Sequence, residues 1–370
     1  MKQDYHESIL IKLFEPNIDK NEIIQVSDVI RSKFWASGSG INYVRKFEEN
    51  FCNYIQSKNC TAVSNGTAAL HLTLSLFNLK NKEVLVPSLT FISSVSSITQ
   101  NGGIPVFVDI NPENLCIDIN DMIQKITRNT GAIVIVDFGG MPSNFDVIKK
   151  IAKEKNIPVI EDAAHSAGST YKGKKIGSHF DAVCFSFHPV KNLAMPTGGA
   201  ICLNNMKSES FKKKLHSLRW CGIQNRKGYD YDIKKLGWNY YMNEISAAIG
   251  LVQLKKLDKN NNIRKKNSKI FFDELKIDNK MPFSDNCSYH FYWIRVKKRK
   301  KFMEYMKKNG IETGIHYKPV HKMSYFNNGL KLKETEKAGK EIVSLPTHPN
   351  LKQTEIEKII HKVNTWININ

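Results

Sequence analysis

Between about residues 60 and 205 the sequence alternates short apolar runs with helix-patterned stretches, and that alternation limits the fold more than any other feature. "EVLVPS", "IPVFVDI", "GAIVIVDF" and "IPVIEDAA" are apolar runs too short for ordinary helices, closed by turn-forming or polar residues, which predicts buried strands. "DAVCFSFH" and "GAICLNN" predict two more. Between them, "TAALHLTLSLFNL" (67–79) and "FDVIKKIAKEKN" carry apolar residues at helical spacing. Strands alternating with helices predict a three-layer α/β domain on a mostly parallel, mixed sheet. Ligands bind such sheets beyond the carboxyl ends of the strands, so the residues just after each strand are the ones to inspect.

From about 243 to 270, "NEISAAIGLVQLKKLDKNNNIRKKN" predicts a long helix, Ala/Leu-rich first and strongly basic afterwards. The strand-like "HFYWIRV", the helix-like "FMEYMKKN" and a last helix near 354–367 follow. In that last helix Thr354 and Glu357 have capping-box spacing, and Ile356, Ile359, Ile360 and Val363 share one face. The expected organisation is a large domain over 1–250, including an N-terminal helical segment, then a bridging helix and a small α/β domain over 251–370.

The length of 370 residues is ample for a buried core, and 41% hydrophobic with 24% charged residues suits a soluble enzyme. No apolar run nears the roughly 18–20 residues of a membrane span, and the start lacks a signal-peptide core, so a cytoplasmic protein without a membrane partner is expected. The 7 cysteines are scattered and never form Cys-x-x-Cys, which argues against a disulfide framework and a thiolate metal site. A net charge of +20 raises nucleic-acid binding. However, the lysines are spread along the whole chain, and the one dense cluster, "KKRKK" at 297–301, reads as a solvated connection. No nucleic-acid partner is expected.

Four strand-end segments carry suggestive polar groups. In "VSNGTAALHL", Gly66 and Thr67 open a helix whose free N–H groups can cradle an anion, although a plain helix cap has the same pattern. In "PVIEDAAHS", Asp162 can pair with a cationic ring nitrogen and His165 can meet a ligand oxygen; a solvated strand end is the bland alternative. "PSLTFISS" supplies Phe91, either a stacking ring or a core residue. "FSFHPVKNLAMPTGGA" supplies Ser186 and Lys191, and a desolvated lysine is a nucleophile for carbonyl carbon. A phosphate cradle, a carboxylate, a ring and a lysine on consecutive strand ends are the parts that hold pyridoxal 5'-phosphate.

Together with "FEENF", "PVFVDINPENLCID", "EDAAHSAGSTYKGKKIG", "LGWNYYMNEISAAIGLVQLKKLD", "GIETGIHYKPVH" and "SLPTHP", these segments resemble the DegT/StrS-type sugar aminotransferases over nearly the whole chain. The resemblance implies pyridoxal-phosphate fold type I, with Lys191 as the Schiff-base and proton-shuttling lysine and Asp162 at the pyridine nitrogen. It also implies His165 near the ring hydroxyl, Phe91 over the ring face, and Gly66, Thr67 and Ser186 on the phosphate. Asn239 would reach the phosphate of a partner subunit, which implies a homodimer with its sites at the interface. His188, Arg219, His316 and Tyr317 are the candidate substrate groups. The implied reaction moves an amino group from L-glutamate to a nucleotide-linked 3- or 4-keto-deoxysugar for surface polysaccharide or glycoside biosynthesis; a small phosphorylated ketone is the alternative acceptor. A dehydrating branch of the family carries histidine at the lysine position, so Lys191 argues against it. A regulator exploiting the basic charge would leave this residue set idle. Two departures stand out: "AMPTGGA" replaces the acid-containing loop frequent after the lysine, and Tyr241 stands where an arginine is frequent.

Overall fold

The computed structural model describes residues 10–205 and 207–369. Its centre is a seven-stranded sheet of β1 (Asn59–Val63), β2 (Glu83–Pro87), β3 (Ile104–Val108), β4 (Thr130–Val136), β5 (Val159–Asp162), β8 (Ala182–Ser186) and β9 (Gly199–Leu203). The spatial order is β1-β9-β8-β5-β4-β2-β3. β9 is antiparallel to both of its neighbours, and the remaining pairs are parallel. The small ladder β6 (Thr170–Tyr171) with β7 (Lys174–Lys175) lies in the β5–β8 connection. Parallel strands covered on both faces need apolar residues at every position. In β4, Ile133 and Ile135 enter one core layer while Ala132 and Val134 enter the other.

Helices α1 (Lys20–Ser32) and α2 (Tyr43–Ile55) pack on the long α8 (Glu244–Glu274). α3 (Gly66–Leu74), α4 (Ser93–Gln100), α5 (Ile119–Lys125), α6 (Phe145–Lys155) and α7 (Ser208–Leu218) accompany the sheet. A hairpin of β10 (Ile223–Lys227) and β11 (Asp230–Ile233) projects beyond it. The C-terminal module joins β12 (Tyr292–Arg295) and β13 (Ile342–Leu345) antiparallel, with α9 (Arg299–Lys308), α10 (Lys333–Glu341) and α11 (Gln353–Ile369). Asn243 caps α8 by accepting from the Ser246 N–H at 2.8 Å. The expected division at 250 falls in the second turn of α8. The segment near residue 11 pairs with the C-terminal module: Ile11 bridges Ile311, and the Leu13 N–H donates to Glu312 Oε2 at 2.9 Å.

Three local expectations change. The helix expected over 67–79 ends at Leu74, and tight turns carry the chain to Leu79. The cap of α11 lies two residues earlier than Thr354 and Glu357: the Lys352 N–H donates to Glu355 Oε2 at 2.8 Å. The "KKRKK" cluster is not all connection, because Arg299 opens α9 and donates to the Gly339 carbonyl at the end of α10 at 2.6 Å. Lys297, Lys300 and Lys301 are exposed as expected. No helix among the described residues is long and apolar enough to cross a membrane.

Candidate active site

The carboxyl ends of β2, β5 and β8 open into a cavity of about 380 Å³. Asp162 ends β5, Ser186 ends β8, Gly66 begins α3 and Phe91 follows β2, and all four line the cavity. Thr67, His165, His188, Lys191, His316 and Tyr317 complete the set that the sequence brought forward. Phe91 is 54% exposed, an apolar ring free to cover a ligand.

Lys191 lies half-buried in the turn after β8, its Nζ 3.4 Å from His290 Nε2. Burial pulls its amine down from the ordinary lysine range to about 8, against the upward pull of the Asp162 carboxylate. Asp162 accepts from Ser94 Oγ at 2.7 Å and from the Ala164 N–H at 3.2 Å. Burial raises its carboxyl, and these hydrogen bonds and the charge on Lys191 oppose the rise. Both hydrogen-bond donors are neutral, so a ligand cation at this carboxylate would relieve the remaining cost.

The histidines around Lys191 are held neutral. His165 Nδ1 accepts from the Gly139 N–H at 3.3 Å, which leaves the Nε2–H to donate to Tyr317 Oη at 2.9 Å. Burial, then the charge of Lys191, holds His165 well below the usual histidine range. His316 stacks on Phe291 with ring centres 4.4 Å apart and meets Ser344 Oγ through Nδ1 at 2.8 Å. Burial and Lys191 push it down to about 3. One potential cation and one potential anion therefore face the cavity among neutral rings.

Across the cavity, a Cβ on Gly66 would stand 2.7 Å from Ser186 Cβ, so glycine lets α3 begin directly against the end of β8. The Asn65 side chain accepts from the Ala68 N–H at 2.9 Å, and the preceding N–H groups of the first turn remain for a ligand. Thr67 Oγ1 lies 2.6 Å from Ser93 Oγ. A helix N-terminus flanked by three hydroxyls is an anion site. Phosphate, ring nitrogen and carbonyl carbon thus each have a complementary group on the cavity wall, and pyridoxal phosphate fits them.

The profile of the DegT/DnrJ/EryC1/StrS aminotransferase family matches residues 16–364. The chain belongs to this family. A UDP-4-amino-4,6-dideoxy-N-acetyl-beta-L-altrosamine transaminase of Campylobacter jejuni is 32% identical, with 94% of this chain and 96% of the relative covered. A GDP-perosamine synthase of Escherichia coli O157:H7 is also 32% identical, over 96% of this chain and 98% of the relative. Among solved structures, Helicobacter pylori PseC, an aminotransferase of pseudoaminic acid biosynthesis, superposes with a TM-score of 0.91 at 26% identity, covering 98% of this chain and all of that one. The PLP form of Spr1654 of Streptococcus pneumoniae superposes with a TM-score of 0.90 at 28% identity, over 96% of this chain and 98% of that one. This DegT/StrS-family protein is a pyridoxal-phosphate-dependent aminotransferase of fold type I, as its resemblance implied.

Two of the expected site residues of the aminotransferase are not brought to the cavity. Arg219 is fully buried elsewhere, its Nη1 2.5 Å from Glu48 Oε1 and 2.6 Å from the Ala62 carbonyl. A guanidinium committed to a buried ion pair is not offered to a substrate, so Arg219 acts as a tie between α2, β1 and the end of α7. Asn239 is exposed, outside the cavity of its own chain. The unusual loop after Lys191 has a packing explanation. Met195 is buried and fills the space left by Gly198 and Gly250, which keeps it out of the cavity, while Pro196 is exposed.

Two cavity residues, Ser93 and His290, and Ser94, which bonds Asp162, went unnoticed in the sequence. Ser93 and Ser94 sit inside the quoted "PSLTFISS" but differ in no visible way from the other serines of α4. His290 precedes the apolar strand β12, where a histidine reads as core. Its approach to Lys191 is a tertiary contact without a local signature.

Proposed function

We propose that this aminotransferase takes the amino group of L-glutamate and delivers it to a nucleotide-linked keto-deoxysugar, at the 3- or 4-position, for surface polysaccharide or glycoside biosynthesis. The observation that carries the reading is Lys191, a desolvated amine facing Asp162 across a cavity whose mouth holds the exposed His188. The transaminase and synthase relatives, named for UDP- and GDP-linked amino sugars, support the acceptor class.

When bound, pyridoxal phosphate supplies an electron sink for the bond broken at the amino-bearing carbon. The chain's residues do the rest. Lys191 would bind the cofactor and, as the amine form that burial favours, would hold and return the proton at its Nζ. Asp162 holds the ring nitrogen protonated, while Ser94 and the Ala164 N–H fix its carboxylate. His165 orients the ring hydroxyl, Phe91 covers the ring, and Gly66, Thr67 and Ser186 grip the phosphate. His188, His316 and Tyr317 meet the substrate. Asn239 of a second chain completes the phosphate grip, so the working form is a homodimer. Exposed apolar residues in the segment before it, Tyr229 in the β10–β11 turn at 99% and Leu236 at 87% exposure, support a covered surface there.

The test is the visible spectrum of the protein with pyridoxal phosphate, before and after L-glutamate. A yellow band that bleaches on adding glutamate is expected, and its colour should return with a UDP- or GDP-linked 4-keto-6-deoxysugar. Colour that survives glutamate would overturn the donor. Return of colour only with a small keto phosphate would overturn the acceptor.

A further inference from the structure

His290 is 1% exposed and stacked between Phe14 and His165, with ring centres 5.0 and 4.7 Å away. Its backbone is anchored on both sides: the N–H donates to the Gly139 carbonyl at 3.0 Å, and its carbonyl accepts from Arg264 Nη1 at 3.3 Å. The ring therefore has little freedom to turn away from Lys191 Nζ, 3.4 Å from its Nε2. The opposite nitrogen, Nδ1, is buried without a hydrogen-bond partner. A neutral imidazole carries one hydrogen, and an unpartnered N–H in such a place costs more than an unpartnered acceptor. The hydrogen accordingly belongs on Nε2, aimed at the lysine.

We propose that His290 is a positioning residue that donates its Nε2–H to Lys191 Nζ and so holds the lysine as a neutral amine. An ammonium has no lone pair to accept this hydrogen, so the contact selects the deprotonated form. His165 and His316 flank the group as rings whose protonation burial and the charge of Lys191 disfavour, so they add no anion that would draw the lysine toward the ammonium. Asp162 pulls the other way, toward the ammonium. His290 offsets that pull at the nitrogen itself, leaving Asp162 free to serve the cofactor's ring nitrogen. The inference rests on Lys191 being the cofactor lysine and not on the identity of donor or acceptor.

The experiment loads the full-length protein with pyridoxamine 5'-phosphate, which leaves Lys191 as a free amine. The rate of acetylation of Lys191 by acetic anhydride is then followed against pH by peptide mass spectrometry, with exposed lysines such as Lys12 as internal controls. Losing one hydrogen bond to the amine should raise the midpoint for Lys191 and slow its labelling at neutral pH about three- to tenfold in His290→Phe, which keeps the ring volume. His290→Gln, whose amide N–H reaches the same region, should restore the rate. If His290→Phe fails to bind the cofactor, His290→Asn replaces it, because its amide is too short to reach Nζ and should show the slow rate. Equal rates in wild type and these variants, or faster labelling without His290, would overturn the proposal. Failure of the glutamate or sugar reading would leave these rates unchanged, so the two failures are distinguishable.

Discussion

An amine that must attack a carbonyl carbon has to be both accessible and unprotonated at neutral pH. Lys191 meets the first need by facing the cavity, and burial moves it toward the second by bringing its amine down to about 8. Replacing it with alanine should abolish the yellow band and reduce turnover by about 10³–10⁶-fold, measured as the amine transfer rate. Arg219 shows how the same residue chemistry serves another end when geometry differs. Its guanidinium is fully buried on Glu48 and the Ala62 carbonyl, so Arg219→Ala should destabilise the fold by about 3–5 kcal/mol in denaturant melts. A raised KM for the sugar at unchanged stability would return Arg219 to the substrate. The four lysine, carboxylate, hydroxyl and glycine signals at strand ends were legible because the fold class says where to look. Arg219 misled because an arginine's partners are invisible in sequence, and Glu48 lies in a different helix.

At the scale of an element, β5 delivers two adjacent carboxylates to opposite faces of the sheet, as strand alternation requires. Asp162 faces the cavity. Glu161 is fully buried, neither of its oxygens has a donor, and its neighbour is the buried carboxyl of Asp137. Two carboxylates bond to each other only when one keeps its proton. Burial, then the charge of Asp137, raises Glu161 well above the usual carboxylate range, and burial brings Asp137 up to about 6. A raised acid stabilises the fold fully below its ordinary pKa and loses that contribution as pH climbs through the folded value. Stability should therefore fall as pH rises through and beyond about 6. Glu161→Gln supplies a permanent N–H to Asp137 and should flatten that decline by up to about 1.4 kcal/mol per pH unit, read from Tm against pH. Parallel curves for wild type and variant would refute the shared proton. The pattern "VIED" marks a strand plainly, yet it does not say which acid meets a ligand and which meets another acid. Helix ends were likewise only partly legible. The α11 cap shifted two residues because Lys352 offers a backbone N–H, which any residue type could supply, and Glu355 was in reach of it.

For the whole molecule, the alternation of strands and helices was legible in the pattern, but the order of strands in the sheet and the closing contacts were not. Ile11 joins Ile311 and His290 reaches Lys191 across long stretches of chain, and no periodicity reports such pairings. Asn239 poses the same problem one level up, since it is exposed in its own chain and the proposal gives it a place only in a partner. Mixing two inactive variants separates the alternatives. In a dimer of Lys191→Ala and Asn239→Ala chains, one site combines both defects. The other then has an intact Lys191 and an intact Asn239 from the opposite chain. Random pairing of equal amounts makes half of the dimers mixed, so activity should return to about a quarter of the wild-type level after subunit exchange. If Asn239 served its own chain, each site of the mixed dimer would carry one defect and mixing would restore nothing. Sedimentation of each variant alone, showing a dimer in both cases, ties the outcome to the site rather than to assembly.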